Sequence, residues 1–102
     1  TGAVIVAPDR RIISTGYNSS LKSAKKLHPK FQKWPGSIHA EAAAILMAKT
    51  DLNRCDMIVI RINKERQFRM AKPCSWCMKY IEFVGIRKVI YSMSEYPYLV
   101  EL

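Results

Sequence analysis

Two short motifs constrain this chain more than any other feature. His39-Ala40-Glu41 is followed, after a long apolar and basic stretch, by Pro73-Cys74-Ser75-Trp76-Cys77. An imidazole and two thiolates are ligands that zinc takes in proteins, and three of them leave one tetrahedral position for water. A carboxylate beside such a water is what a hydrolytic site needs. The motifs therefore predict a metal-dependent hydrolytic site.

In this interpretation His39, Cys74 and Cys77 are the metal ligands, and Glu41 is the acid–base group. Three alternatives remain open. A C-x-x-C can be a redox pair, although that would leave the histidine motif unexplained. It can belong to a structural zinc site, in which His28 or Cys55 would close the ligand shell. Glu41 can also be an ordinary acid in the first turn of a helix.

Length and cysteine content set the broad class. The chain has 102 residues, which suits a single domain over 1–102. No apolar run is long enough to cross a bilayer, so no membrane partner is expected. Three cysteines are an odd number for a disulfide framework, and paired free thiols suit a reducing cytoplasm. Cys55, outside the motif, is interpreted as a small buried hydrophobic residue.

The net charge of +9 indicates a phosphate-bearing partner. Between Arg10 and His39 the charged residues are all cations. Five of them are candidate phosphate or nucleic-acid contacts: Lys22, Lys25, Lys26, Lys30 and Lys33. A second basic set is Lys64, Arg66, Arg69 and Lys72. Charge alone does not separate a nucleotide from a single-stranded nucleic acid.

Hydrophobic patterning predicts an α/β fold, with a mixed sheet of four to five strands and helices packed on it. A hairpin is expected first, and parallel pairing in the second half. Ser37 is the expected cap of the first helix, and Gly85 is expected to end the second. The predicted strands are 3–7, 12–17, 57–62 and 89–91, with an edge strand or tail at 96–102. The predicted helices are 38–49 and 74–84, and the predicted connections are 18–37 and 64–72.

Taken together, these motifs resemble the cytidine and deoxycytidylate deaminase superfamily of zinc-dependent nucleobase deaminases. The similarity covers 2–18, 39–48 and 57–91, and it is strongest to the deoxycytidylate branch, including small phage-encoded members. It implies a cytidine deaminase-like α/β/α sandwich and a Zn²⁺ cofactor. Relatives place a helix before the first strand, whereas here that strand begins near Thr1. Missing residues, a partner subunit or a minimal variant would each account for this.

The resemblance implies hydrolytic deamination of cytosine to uracil on a phosphorylated, deoxycytidylate-like substrate. Glu41 would move the protons, while Asn18, Ala40 and Trp76 would contact the substrate. From the residues alone, Trp76 is interpreted as a residue that packs under the helix or forms part of the pocket wall. Two alternatives remain: a deaminase of single-stranded DNA or RNA, acting on cytosine or tRNA adenosine, and a non-catalytic zinc-stabilised nucleic-acid-binding module. Many relatives form oligomers, so a homo-oligomer is compatible with the resemblance. Lys72 departs from the residues that relatives carry before the motif's proline.

Overall fold

A computed structural model describes residues 1–18 and 39–102 of the chain. Its sheet has the strand order β2-β1-β3-β5-β6, and a short strand, β4, pairs with β3 outside this path. All pairs are antiparallel except β3 with β5, so the predicted mixed sheet is confirmed. The elements are β1 Gly2–Val6, β2 Ile12–Tyr17, α1 Ala40–Ala48, β3 Asp56–Ile62, β4 Phe68–Arg69, α2 Ser75–Phe83, β5 Lys88–Ser92 and β6 Leu99–Glu101.

The predicted N-terminal hairpin is present. Strands β1 and β2 pair antiparallel, from Gly2 opposite Tyr17 to Val6 opposite Ile12. In the turn, the backbone N–H of Arg10 donates to the carbonyl of Ala7 at 2.8 Å. Pro8 and Asp9 favour this chain reversal, because proline and aspartate are preferred in turns. The hairpin places the end of β2 beside the start of α1.

The predicted parallel pair is also present. Met57 of β3 lies opposite Val89 of β5, and α2 lies in the crossover between the two strands. Gly85 follows α2 with φ of 87°, a left-handed conformation that glycine adopts without steric cost. This crossover carries the cysteine motif at the start of its helix, so the topology fixes where the two thiols enter.

The segment 64–72, predicted to be only a connection, contains β4, which gives the sheet six strands instead of four to five. Arg69 pairs with Arg61 and Phe68 with Ile62. The hairpin turn is organised by Asn63, whose Oδ1 accepts hydrogen bonds from the backbone N–H groups of residues 65 and 67. A two-residue strand is too short to show the alternation that identifies strands in a sequence.

One hydrophobic core joins both helices to a single face of the sheet. Its fully buried members include Ile5, Met57, Val59, Cys77 and Ile81. In the described ranges the other face lacks a helix: aliphatic residues of β1 and β3 line an open groove of about 390 Å³. Neither described helix is long and apolar enough to cross a membrane. The face bearing the helices is therefore the face that builds the site.

Close contact between β2 and α1 depends on a glycine. A Cβ on Gly16 would lie 2.5 Å from the carbonyl oxygen of Ala40 and would collide with the backbone nitrogen of Ala44. Beside it, the Ser14 hydroxyl donates to the Ala44 carbonyl at 2.7 Å. The alanine-rich sequence of α1 keeps its buried side small, so the strand backbone can reach the helix backbone.

We expect Gly16→Ala to lower the free energy of unfolding by about 1–3 kcal/mol, the usual cost of overpacking a filled core. Gly2→Ala is the matched control, because the nearest atom to its added Cβ is 3.8 Å away. Urea unfolding monitored by circular dichroism measures both. Equal stability of the two variants would contradict the proposed packing constraint.

Candidate metal centre

The first ligand lies at the start of α1. His39 is the N-cap residue with an extended backbone (φ −72°, ψ 163°), so the helix begins at Ala40, two residues later than predicted. The side-chain Oδ1 of Asn18, just after β2, accepts a hydrogen bond from the Ala40 backbone N–H at 2.9 Å. Asn18 thus satisfies one of the backbone N–H groups that have no partner within the helix at its start. This arrangement leaves the His39 ring available to the site.

The two thiols lie at the start of α2. Cys74 is the N-cap residue (φ −70°, ψ 171°), and Cys77 follows in the first turn of the helix. Cys74 is exposed, whereas Cys77 is buried. Residues three apart lie on the same side of a helix, so both sulfurs face α1. Pro73 lies just before the cap.

Two helix starts therefore bring an imidazole and two thiols together. The Sγ atoms of Cys74 and Cys77 lie 3.5 and 3.4 Å from Nδ1 of His39. Ligand atoms at ordinary zinc–nitrogen and zinc–sulfur bond lengths are about 3.6 Å apart in a tetrahedral shell. The residues therefore fit a zinc ion. Among the described residues, these three form the group that could hold a metal.

Glu41 lies beside this group without belonging to it. Its side chain is only 5% exposed, and it contributes to the same cavity as His39 and Cys74. The pKa of the Cys77 thiol is raised, chiefly by burial and then by the Glu41 carboxylate and the neighbouring Cys74. A bound cation would offset both the burial and the negative charge, since zinc takes the thiolate form. The site is thus electrostatically suited to a cation.

A cavity of about 200 Å³ opens beside the ligands. Its wall contains the predicted residues Asn18, His39, Glu41 and Cys74, and it also contains the departure noted above, Lys72. The rest of the lining belongs to neither motif and comprises Thr1, Arg61, Met70 and Ala71. Arg61 could have been suspected only as a cation near the end of an apolar strand.

The other predicted substrate contacts lie in or against the hydrophobic core. Ala40 is fully buried in the core, and the half-buried Trp76 packs against that core with Lys79 Nζ 5.8 Å from its ring centre. Their predicted substrate contacts stay predictions. Cys55 is buried outside the ligand group. Ser37, His28 and the lysines predicted to contact phosphate lie outside the described residues: Lys22, Lys25, Lys26, Lys30 and Lys33.

Comparison with protein families agrees with the geometry of the site. The model of the cytidine and deoxycytidylate deaminase zinc-binding region matches residues 1–93, which include all three ligand positions and Glu41. The chain belongs to this family. Membership explains why a histidine–x–glutamate and a C-x-x-C converge on one point, and it supports zinc as the metal.

The chain is similar to two named members of this family. A Drosophila melanogaster protein named "Probable deoxycytidylate deaminase" is 28% identical, over 93% of this chain and 49% of its own length. The crystal structure of dCMP deaminase from the cyanophage S-TIM5, in apo form, matches with a TM-score of 0.59 and 25% identity. That match covers 90% of this chain and 64% of the phage enzyme. The chain thus spans about half of the fly protein and under two thirds of the phage one.

We expect Cys77→Ser and Cys74→Ser each to reduce bound zinc from one ion per chain to a small fraction, because each removes a thiolate ligand. Cys55→Ser makes the same chemical change outside the ligand group and should keep the metal, even if the chain is less stable. Zinc content after gel filtration, measured by plasma mass spectrometry, distinguishes these results. A full complement of zinc in both motif variants would contradict the ligand assignment.

Proposed function

We propose that this protein hydrolytically deaminates cytosine to uracil on a phosphorylated substrate, with deoxycytidylate as the first candidate. The observation that carries this proposal is the buried carboxylate of Glu41 beside the three-ligand group. A purely structural zinc site commonly has four protein ligands and has no use for a buried acid. The deoxycytidylate assignment rests on the similarity to the fly protein and the phage enzyme, which are named as deaminases of this nucleotide.

The metal would be held by His39 Nδ1 and by the sulfurs of Cys74 and Cys77. When bound, zinc supplies Lewis acidity that lowers the pKa of water toward neutrality. The chain supplies a closed environment for that chemistry: α1 is buried from Ala40 to Ile45, and Cys77 is in the core. Electrostatic interactions are stronger in such a setting than in bulk water.

Glu41 would carry the protons. As water adds to C4 of cytosine, the Glu41 carboxylate accepts a proton and delivers it to ring nitrogen N3. A second proton passes through the same carboxyl group to the amino group, which leaves C4 as ammonia while C4 keeps the oxygen as a carbonyl. One water is consumed and one ammonia is released. A single acid–base group suffices because each proton is taken up before the next is delivered.

The cavity wall offers groups that could orient the substrate. The Asn18 side-chain oxygen is used by the Ala40 N–H, so its NH₂ group is the end that could donate to a sugar or base. Arg61 and Lys72 contribute cations to the same wall. A phosphate attached to the sugar would complement them, which favours a nucleotide over a free nucleoside.

A second candidate is the deamination of cytosine or adenine in single-stranded DNA or RNA. The observation that favours it is the stretch 66–72 beside the cavity, which carries the exposed cations Arg66, Arg69 and Lys72 and the exposed aromatic ring of Phe68. The third hypothesis, a non-catalytic zinc-stabilised module, leaves the burial of Glu41 without a use.

Glu41→Gln should abolish turnover by roughly 10²–10⁴-fold while zinc content and fold are kept, since the amide cannot accept the proton. Glu82→Gln, the same change at an exposed position on α2, should retain parental activity. Ammonia release and uracil formation measure the reaction. Parental turnover by Glu41→Gln would rule out the assigned role, and a wholly inactive parent would favour the non-catalytic module.

Among three substrates at equal concentration, we expect deoxycytidine monophosphate to be converted and cytidine to react much more slowly, because the latter lacks the phosphate that the wall cations complement. A cytosine-containing oligonucleotide completes the comparison. Uracil is measured by liquid chromatography. Conversion of the oligonucleotide alone would establish the second candidate in place of the first.

A further inference from the structure

Two arginines face each other across the β3–β4 pair. Arg61 and Arg69 are direct cross-strand partners, so their side chains leave the same face of this hairpin. Like charges in this position destabilise a sheet. In the described ranges the ion pairs are Arg87–Asp56 and Lys88–Glu101, and neither offsets this repulsion. A bound anion would convert the unfavourable pair into a binding site.

A buried serine fixes the backbone of both arginines. The Oγ of Ser92, on β5, donates to the Arg69 carbonyl at 2.6 Å and accepts from the Arg61 backbone N–H at 3.0 Å. Ser92 is fully buried, so water does not compete for these bonds. The two cations therefore project from a constrained backbone instead of a free loop, which lowers the entropy lost when an anion binds.

An aromatic groove adjoins the arginine pair. This β4 groove, of about 360 Å³, is lined by Arg66, Gln67, Phe68, Arg69, Ser94 and Tyr98. The Phe68 and Tyr98 rings are 5.8 Å apart and tilted by 35°, and Tyr96 meets Tyr98 edge-on at 6.3 Å. All three rings are exposed. Exposed rings beside cations are the combination that binds unpaired bases, since every base has a face that stacks.

The β4 groove and the metal cavity are lined by neighbouring residues of the chain. Arg61 lines the cavity, while its partner Arg69 lines the groove. Met70, Ala71 and Lys72 follow Arg69 directly and line the cavity as well. A nucleic-acid strand with a phosphate at Arg69 would therefore follow residues 69–72 from the groove to the cavity.

We propose that the β4 groove binds single-stranded nucleic acid. A phosphate lies at Arg61 and Arg69, and the base on one side of it faces the metal cavity. The base on the other side passes around β4 to stack on Phe68 and Tyr98, because Phe68 leaves the opposite face of the hairpin from Arg69. Residues 61–72 and 94–98, which surround the groove, contain two acids, Glu65 and Glu95. Five cations outnumber them: Arg61, Lys64, Arg66, Arg69 and Lys72. A duplex fits less well because its base faces are already stacked. Binding in the groove stands alone, while deamination of the adjacent base rests on the proposed function.

Binding is tested on the zinc-loaded Glu41→Gln variant of the whole 102-residue chain, so that turnover does not interfere. The probe is a fluorescently labelled, cytosine-containing single strand, and anisotropy is measured over a range of salt concentrations. We expect the single strand to bind more tightly than the duplex of the same sequence. Affinity should fall with salt in proportion to the number of phosphates contacted.

Variants assign the binding to the groove. Tyr98→Leu should weaken single-strand binding by about tenfold, whereas Tyr98→Phe keeps the ring and should bind like the parent. Arg69→Gln should weaken binding and reduce the salt slope by about one. Arg54→Gln is the matched control: it removes the same charge from an exposed residue before the start of β3, whereas Arg61 lies near the end of that strand. It should leave binding nearly unchanged.

Several outcomes would overturn the proposal. Equal affinity for duplex and single strand, or parental binding by Tyr98→Leu and Arg69→Gln, would each exclude the groove. An Arg54→Gln loss as large as that of Arg69→Gln would reduce the effect to net charge. Thermal unfolding confirms that each variant is folded. If the protein binds the strand but deaminates nothing, the proposed function is refuted and the groove proposal stands. If the protein is active but does not bind the strand, the groove proposal is refuted and the proposed function stands.

Discussion

The approach of β2 to α1 determines where the reactive groups lie. Gly16 lets the strand backbone reach the helix backbone, and Ser14 hydrogen-bonds to the helix at Ala44. At the end of the strand, Asn18 binds the first helical N–H. Since His39 and Glu41 flank that N–H, their positions follow from backbone contacts made by β2. A small displacement of α1 would separate His39 from the thiols on α2.

Both metal-ligand helices begin with a residue that is poor at capping. Serine, threonine, aspartate and asparagine are preferred there because a side-chain oxygen accepts a helix N–H. Here the N-cap residues are His39 and Cys74, and within the described residues neither side chain caps its helix. Missing caps typically cost about 1 kcal/mol each. At α1, the Asn18 side chain accepts the first helical N–H. The His39 and Cys74 side chains turn toward each other instead of capping, and a bound cation would offset the stability lost with the caps.

The sequence predicted those parts of the fold that have local signals. Two apolar runs separated by proline and aspartate predicted the hairpin. The alternation of strand and helix patterns along the chain predicted the mixed sheet with its parallel pair. Most boundaries shifted by at most two residues, as at α1, where the extended backbone of His39 delays the helix. The C-terminal edge strand begins three residues later than the predicted segment. Strand β4 had no local signal. Its two residues are ordered by partners distant in sequence, β3 and the buried hydroxyl of Ser92.

The same distinction separates the ligands from the rest of the site. His39, Cys74, Cys77 and Glu41 were predictable because zinc chemistry restricts both residue type and spacing. Arg61 was not, because an arginine in an apolar strand gives no sign of which side chain will lie opposite it. Only the register with β4 turns two separate cations into one anion-attracting pair. Composition alone therefore pointed to a phosphate-bearing partner, whereas strand pairing specifies a place where that phosphate could bind.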